Sequence, residues 1–183
     1  GSLFDSLQRE SLLHDFAVDP MASDLHSWEE QDYDLFARLL RVRRDQVLTH
    51  RFPLKERGRY FFEINHKGDI FLDPDTGVAT NRVARPEQYV LLRDVWSLFG
   101  NGLNRLIAVY QHVRGRKCAT RVDEVVQHLC STSVSPSWCS YESGTVAMLF
   151  LSLAPHRTAA IAAAFRRELG RHAGGRIRGS SHS

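Results

Sequence analysis

The chain has 183 residues, 43% of them hydrophobic and 10% aromatic, with 24 Lys and Arg against 21 Asp and Glu. That balance excludes a disordered or fibrous chain and fits one compact core with trimmable ends. A net charge of +3 is too small to imply a nucleic-acid partner, because clustered basic residues rather than a slightly basic total supply phosphate affinity.

From Leu3 to Leu13 the apolar residues Leu3, Phe4, Leu7, Leu12 and Leu13 recur at helical spacing until Pro20 breaks the pattern, which predicts a peripheral helix. Ser23 or Asp24 can cap a second helix near residues 25–42, carrying Trp28, Phe36, Leu39 and Leu40 and ending in the basic stretch Arg41, Arg43 and Arg44. Two aromatic and β-branched runs, Arg59 to Ile64 and Asp69 to Leu72, flank Asn65-His66-Lys67-Gly68 and predict a β-hairpin, with Gly68 supplying a positive φ. Asp73-Pro74-Asp75-Thr76-Gly77 stops its second strand. Pro86 opens a helix through Val95, Trp96 and Phe99 that Gly100 and Gly102 end. Leu106 to Tyr110 and Arg121 to Cys130 read as two strands, or as one strand and a short helix, separated by a turn at Arg114-Gly115-Arg116-Lys117. The unalternating apolar run Thr145 to Leu151 reads as a strand buried on both faces. Pro155 closes it, and the Ala-rich stretch Arg157 to Leu169 reads as a helix. The Gly, Ser and Arg tail from Gly174 to Ser183 has one large apolar residue, Ile177, and is expected to be flexible.

Cys118, Cys130 and Cys139 are an odd set in one short window, whereas a secreted disulfide scaffold carries more and in even number, so a reducing compartment is expected. The longest apolar run, Val146 to Leu153 broken by Ser152, is less than half the roughly 18 to 20 residues that span a bilayer, so no membrane partner is expected. The opening Gly1-Ser2 without Met reads as a cleavage scar, which leaves room for a targeting segment before Leu3.

Cys118, His128, Cys130 and Cys139 have zinc-ligand chemistry but lack the short C-x2-C knuckle that aims two sulfurs from one turn, so no metal is assigned. Asp73, Asp75 and Gly77 begin like a calcium loop, yet Val78 and Ala84 stand where the loop needs Gly and Glu. Glu142-Ser143-Gly144 lacks the flanking glycines of a nucleophile elbow. The chain has no Walker loop, no G-x-G-x-x-G and no H-E-x-x-H, and no cofactor is assigned. His66 could act as a general base oriented by nearby carboxylates, which makes His66, Asp69 and Asp73 the candidate catalytic set. The basic residues Arg114, Arg116, Lys117 and Arg121 are the candidate binding set, for a protein partner or for RNA phosphates.

The pattern Tyr60-Phe61-x-x-Ile64-Asn65-His66-x-Gly68-x-Ile70-Phe71-Leu72-Asp73 resembles one found in an uncharacterised eukaryotic family of small, mainly mitochondrial proteins of unknown function. Weaker similarity continues through Val125-Val126-x-His128-Leu129 and Ser140-Tyr141-x-Ser143-Gly144 into Met148-Leu149-Phe150. The resemblance implies a single folded domain and a mitochondrial address.

These readings predict an α+β fold: a mainly antiparallel sheet with packed helices, as a single domain over residues 23–173. Residues 1–22 are expected as a peripheral segment and 174–183 as a flexible basic tail. The expected function is a non-catalytic interaction domain for a protein or ribonucleoprotein partner. The alternative is a small hydrolase or transferase with its polar site around His66, Asp69 and Asp73.

Overall fold

The computed structural model describes residues 3–64, 68–100, 104–113, 117–131, 134–169 and 175–180. Fourteen α-helices and β-strands are traced among them: α1 (Leu3–Arg9), β1 (Ala17–Asp19), α2 (Glu30–Leu40), α3 (Arg57–Glu63), β2 (Ile70–Leu72), β3 (Gly77–Val78), β4 (Tyr89–Val90), α4 (Leu92–Phe99), β5 (Leu106–His112), α5 (Cys118–Leu129), β6 (Ser137–Ser143), β7 (Val146–Ser152), α6 (Pro155–Leu169) and β8 (Arg176–Gly179). The fold is α+β. Its six-stranded sheet has the order β1-β2-β5-β7-β6-β8, and β3 and β4 form a separate parallel pair. The first three strands run parallel, with Val18 opposite Phe71 and Phe71 opposite Ala108. The other three pairings are antiparallel, so antiparallel pairing predominates.

Strand alternation divides the core into two layers, because successive side chains leave a strand on opposite faces. Ile70, Leu72, Ile107, Val109, Leu149 and Leu151 face one side, where they pack with Tyr60 and Phe61 of α3, Val95 and Leu98 of α4, and Val125 and Leu129 of α5. Phe71, Leu106, Ala108 and Phe150 face the other, against Phe4 and Leu7 of α1 and Ile161 and Phe165 of α6. Helices therefore cover both faces of the sheet. β5 and β7 lie at its centre, buried on both sides, which explains the apolar, unalternating sequence from Val146 onward.

Three expectations need correction. The hairpin does not form: its first run is α3. Arg57, Tyr60, Phe61 and Ile64 are buried at helical spacing, while Phe62, which a strand would place on the face of Tyr60 and Ile64, is 86% exposed. Gly68 is not among the glycines of positive φ; it is needed because a Cβ there would collide with the backbone of Asp15. The helix expected to open at Pro86 begins only at Leu92, because Pro86–Gln88 is a 3-10 turn followed by β4. Of the two readings of Arg121 to Cys130 the helix is the one that forms, as α5 with Val122, Val125 and Leu129 buried at helical spacing.

The third correction concerns both ends of the chain. Residues 17–19 supply a sheet strand, so the N-terminal segment enters the core through Val18, which is fully buried. Residues 176–179 also join the sheet: β8 pairs with β6, and Arg178 donates to Glu142 at 2.6 Å, to Asp123 at 2.6 Å and to the carbonyl of Ala119 at 2.9 Å. A composition rule sees only Gly, Ser and Arg there, whereas the order comes from an arginine with two carboxylates waiting for it.

Candidate active site

The carboxyl ends of the parallel strands β1 and β2 carry Asp19 and, one residue beyond Leu72, Asp73. In sheets with parallel strands this edge is where side chains and loops commonly build sites. Register places Asp19 beside Leu72, and the amide of Asp73 donates to the carbonyl of Asp19 at 3.0 Å. Asp75 follows in the turn, where one of its carboxylate oxygens accepts the amide of Ser23 at 3.3 Å.

Asp19 is completely buried, and its Oδ1 is crowded. The Tyr60 hydroxyl donates to it at 2.6 Å and the Met21 amide at 3.1 Å, while His50 Nε2 lies 3.2 Å away. The His50 ring stacks on the Tyr60 ring with centroids 3.8 Å apart and planes 15° from parallel. Its Nδ1 stands 4.0 Å from Glu63, whose carboxylate also accepts the amide of Arg51. Asp19 Oδ2 is buried and has no hydrogen-bond partner among the described residues. Burial, followed by the Asp19 charge, pushes the Tyr60 phenol well above its ordinary range, so it stays a donor.

Asp73, one residue beyond Leu72 of β2, is partly exposed, and its carboxyl makes no hydrogen bond to any described residue. Burial pushes its pKa up to about 7, helped by the charges of Asp75 and Asp19. Tyr110 of β5 senses it in turn: the phenol is raised first by burial and then by Asp73. A carboxyl that exchanges its proton near neutrality can serve as a general acid or base.

The sequence-predicted catalytic set is not brought together. His66 lies outside the described residues. Asp69 and Asp73 flank the three residues of β2, so roughly 13 Å of extended backbone separates them. Asp69 holds the other end of the sheet: it accepts the amides of His14 at 2.7 Å and Leu106 at 2.8 Å and pairs with Arg157 at 2.6 Å. Asp73 alone of the three shares the carboxyl ends of β1 and β2 with Asp19. Asp19, His50 and Tyr60 were missed because their partnership spans 41 residues of sequence; Asp19 ending a short apolar strand was the one local signal.

Of the predicted binding set, Arg114 and Arg116 lie outside the described residues, and Lys117 is exposed before α5. Arg121 points inward and donates to the carbonyl of Val78 at 2.5 Å, to Thr80 at 2.9 Å and to Glu124 at 3.1 Å. Among the described residues no three His, Cys, Asp or Glu side chains are grouped to hold a metal ion. The Cys118 thiol donates to the carbonyl of Val146, Cys139 is core, and His128 is exposed. None of the helices is long and apolar enough to cross a membrane among the described residues.

No family model matches the chain, and no curated protein does. Among solved structures it is similar to a DUF519 protein of Legionella pneumophila str. Philadelphia 1, at 10% identity and a TM-score of 0.46. That alignment covers 92% of this chain and 60% of the other, so the chain spans about three fifths of its neighbour's length.

Proposed function

We propose that the chain is a small enzyme of the hydrolase or transferase class in which Asp73 gives and takes the proton. The observation that carries this reading is the placement of Asp73: a partly open carboxyl, next to Asp19 and Asp75 at the carboxyl ends of β1 and β2. Asp19 is the positioning residue, fixed by Tyr60 and flanked by His50. General acid or base help from one side chain contributes about 10²- to 10⁴-fold in rate. The test is a substrate screen across esters, phosphomonoesters and glycosides, followed by Asp73→Asn. Turnover that falls at least about 100-fold in the variant, with a wild-type pH profile that bends near 7, supports the reading. Turnover indifferent to Asp73→Asn refutes it.

The interaction-domain reading draws support from a different surface. Leu35 and Leu39 stand one turn apart on α2, 50% and 70% exposed. A second copy of the chain would bury them, and a Leu35→Gln/Leu39→Gln variant that sediments as the wild type does rejects that reading.

A further inference from the structure

Two cavities adjoin on the side of the sheet where α5 and the β3–β4 pair meet, sharing the segment 79–83 as a common wall. The first, about 340 Å³, is lined by Thr76, Gln111, His112 and Arg121; the second, about 730 Å³, by Arg82 and Arg93. Each volume falls within the roughly 300 to 1,000 Å³ typical of small-molecule sites. Both linings lack Asp and Glu among the described residues. Elsewhere in the fold three arginines that reach inward meet carboxylates, Arg57 with Asp94, Arg157 with Asp69 and Arg178 with Glu142, while the buried Arg105 donates to the carbonyl of Leu98. Arg82 and Arg93 are exposed and pair with no carboxylate among the described residues.

The floor of the groove is rigid. The Gln111 amide is fully engaged, accepting from the Val78 amide at 2.9 Å and donating to the carbonyls of Thr76 at 3.2 Å and His112 at 2.8 Å. Arg121 is anchored by Val78, Thr80 and Glu124, so its guanidinium is held in place rather than free to collapse onto a neighbour. Three guanidiniums with one carboxylate among them leave an excess of positive charge, and planar guanidinium forks suit phosphate oxygens. Thr76, which lines the groove, lies three residues beyond Asp73.

We infer that this groove binds a phosphate-bearing small molecule, with Arg82 and Arg93 taking the phosphate and the polar floor around Gln111 and Thr76 receiving the rest. Its being the substrate rests on the acid-base reading of Asp73; its binding does not. Titration calorimetry at low salt with inorganic pyrophosphate and with adenosine 5′-diphosphate tests it. Both probes are expected to bind the wild-type chain, and Arg82→Gln/Arg93→Gln, two exposed positions whose replacement leaves the melting curve unchanged, is expected to weaken them at least tenfold. Tighter binding of the nucleotide than of pyrophosphate marks occupancy of the floor, and equal binding marks the phosphate subsite alone; both support the inference. No binding of either probe at 5 mM, or affinity unchanged in the double variant, overturns it. Asp73→Asn should bind both probes at least as well as wild type; retained binding with turnover that ignores Asp73 sinks the enzyme reading and leaves the groove standing.

Discussion

Replacing Asp73 by Asn keeps the size of the side chain and removes a carboxyl that the fold holds protonated. An Asp in an unfolded chain ionises near 3.8, whereas Asp73 in the folded protein holds its proton up to about 7. Burial is the largest cause; the carboxylates of Asp75 and Asp19 add to it, and Tyr110 faces it from β5 without a countercharge. Because the folded value is the higher one, the associated stability is fully present below about pH 4 and is lost as pH rises to about 7. A difference of about three pH units corresponds to about 4 kcal/mol, and partial exposure reduces the expected figure to roughly 2 to 3 kcal/mol. Asp73→Asn cannot ionise, so it should be more stable than wild type by that amount at pH 8 and nearly equal to it at about pH 3. Urea unfolding of both proteins at the two pH values measures this. A variant less stable than wild type at pH 8, or one with the same gain at both pH values, would refute the placement of Asp73 among uncompensated carboxylates.

Four further outcomes follow from the geometry. Arg157→Met strips Asp69 of its cation and should cost about 3 to 5 kcal/mol in urea unfolding, part of which Asp69→Asn in the same chain should restore. Tyr60→Phe removes the hydroxyl donated to Asp19 and should lower stability by about 1 to 3 kcal/mol at pH 7, measured the same way. Cys139 is 1% exposed and its thiol is pushed up to about 12, so at pH 8 Ellman's reagent should modify it on the order of a thousandfold more slowly than an open thiol, with the difference vanishing in denaturant. Gly77→Ala forces a side chain onto a φ of +122° and into the Gln111 amide, which should cost at least about 1 kcal/mol and lower the melting temperature.

Much of the fold was legible because some segments follow a single period. α2, α6 and β7 lie near their predicted places, since a capped amphipathic stretch, an Ala-rich stretch after Pro155 and an unbroken apolar run each admit few alternatives. Arg59 to Ile64 defeated the reading because aromatic residues favour strands locally, while the pattern of burial at 57, 60, 61 and 64 is a property of the packed helix. The signal was present in the spacing, but three consecutive large side chains, Tyr60, Phe61 and Phe62, obscured which one faces solvent. β8 was invisible for another reason: a four-residue edge strand owes its order to Arg178 reaching Glu142, 36 residues earlier. Asp73 was picked out as a turn carboxylate, whereas Asp19 on β1 gathers partners from α3 and the segment carrying His50, and only topology assembles those.

The distribution of buried charge separates the parts of the chain that hold the fold from the part that can do chemistry. Besides Asp19, the buried carboxylates are Asp69, Asp94 and Glu142, and each meets an arginine at 2.6 Å. Arg57 also donates to the carbonyls of Pro86 and Tyr89, and Arg157 to those of Leu12 and Asn104, so these pairs tie distant loops to the sheet. A buried carboxylate is costly unless it is paired and hydrogen-bonded, and at those three places the chain supplies the pair. At Asp19 it supplies a tyrosine, an amide and a histidine instead, and at Asp73 it supplies two more carboxylates. An arginine between Asp19 and Asp73 would neutralise the cluster and stabilise the fold, yet it would also hold Asp73 ionised at every physiological pH and end its ability to exchange a proton. Positive charge gathers instead in the groove, where Arg82 and Arg93 stand without carboxylates in the lining among the described residues. Structural stability alone would distribute these charges the other way round, and that inversion is why the edge formed by β1, β2 and the β3–β4 pair is the place where binding and proton transfer should be sought.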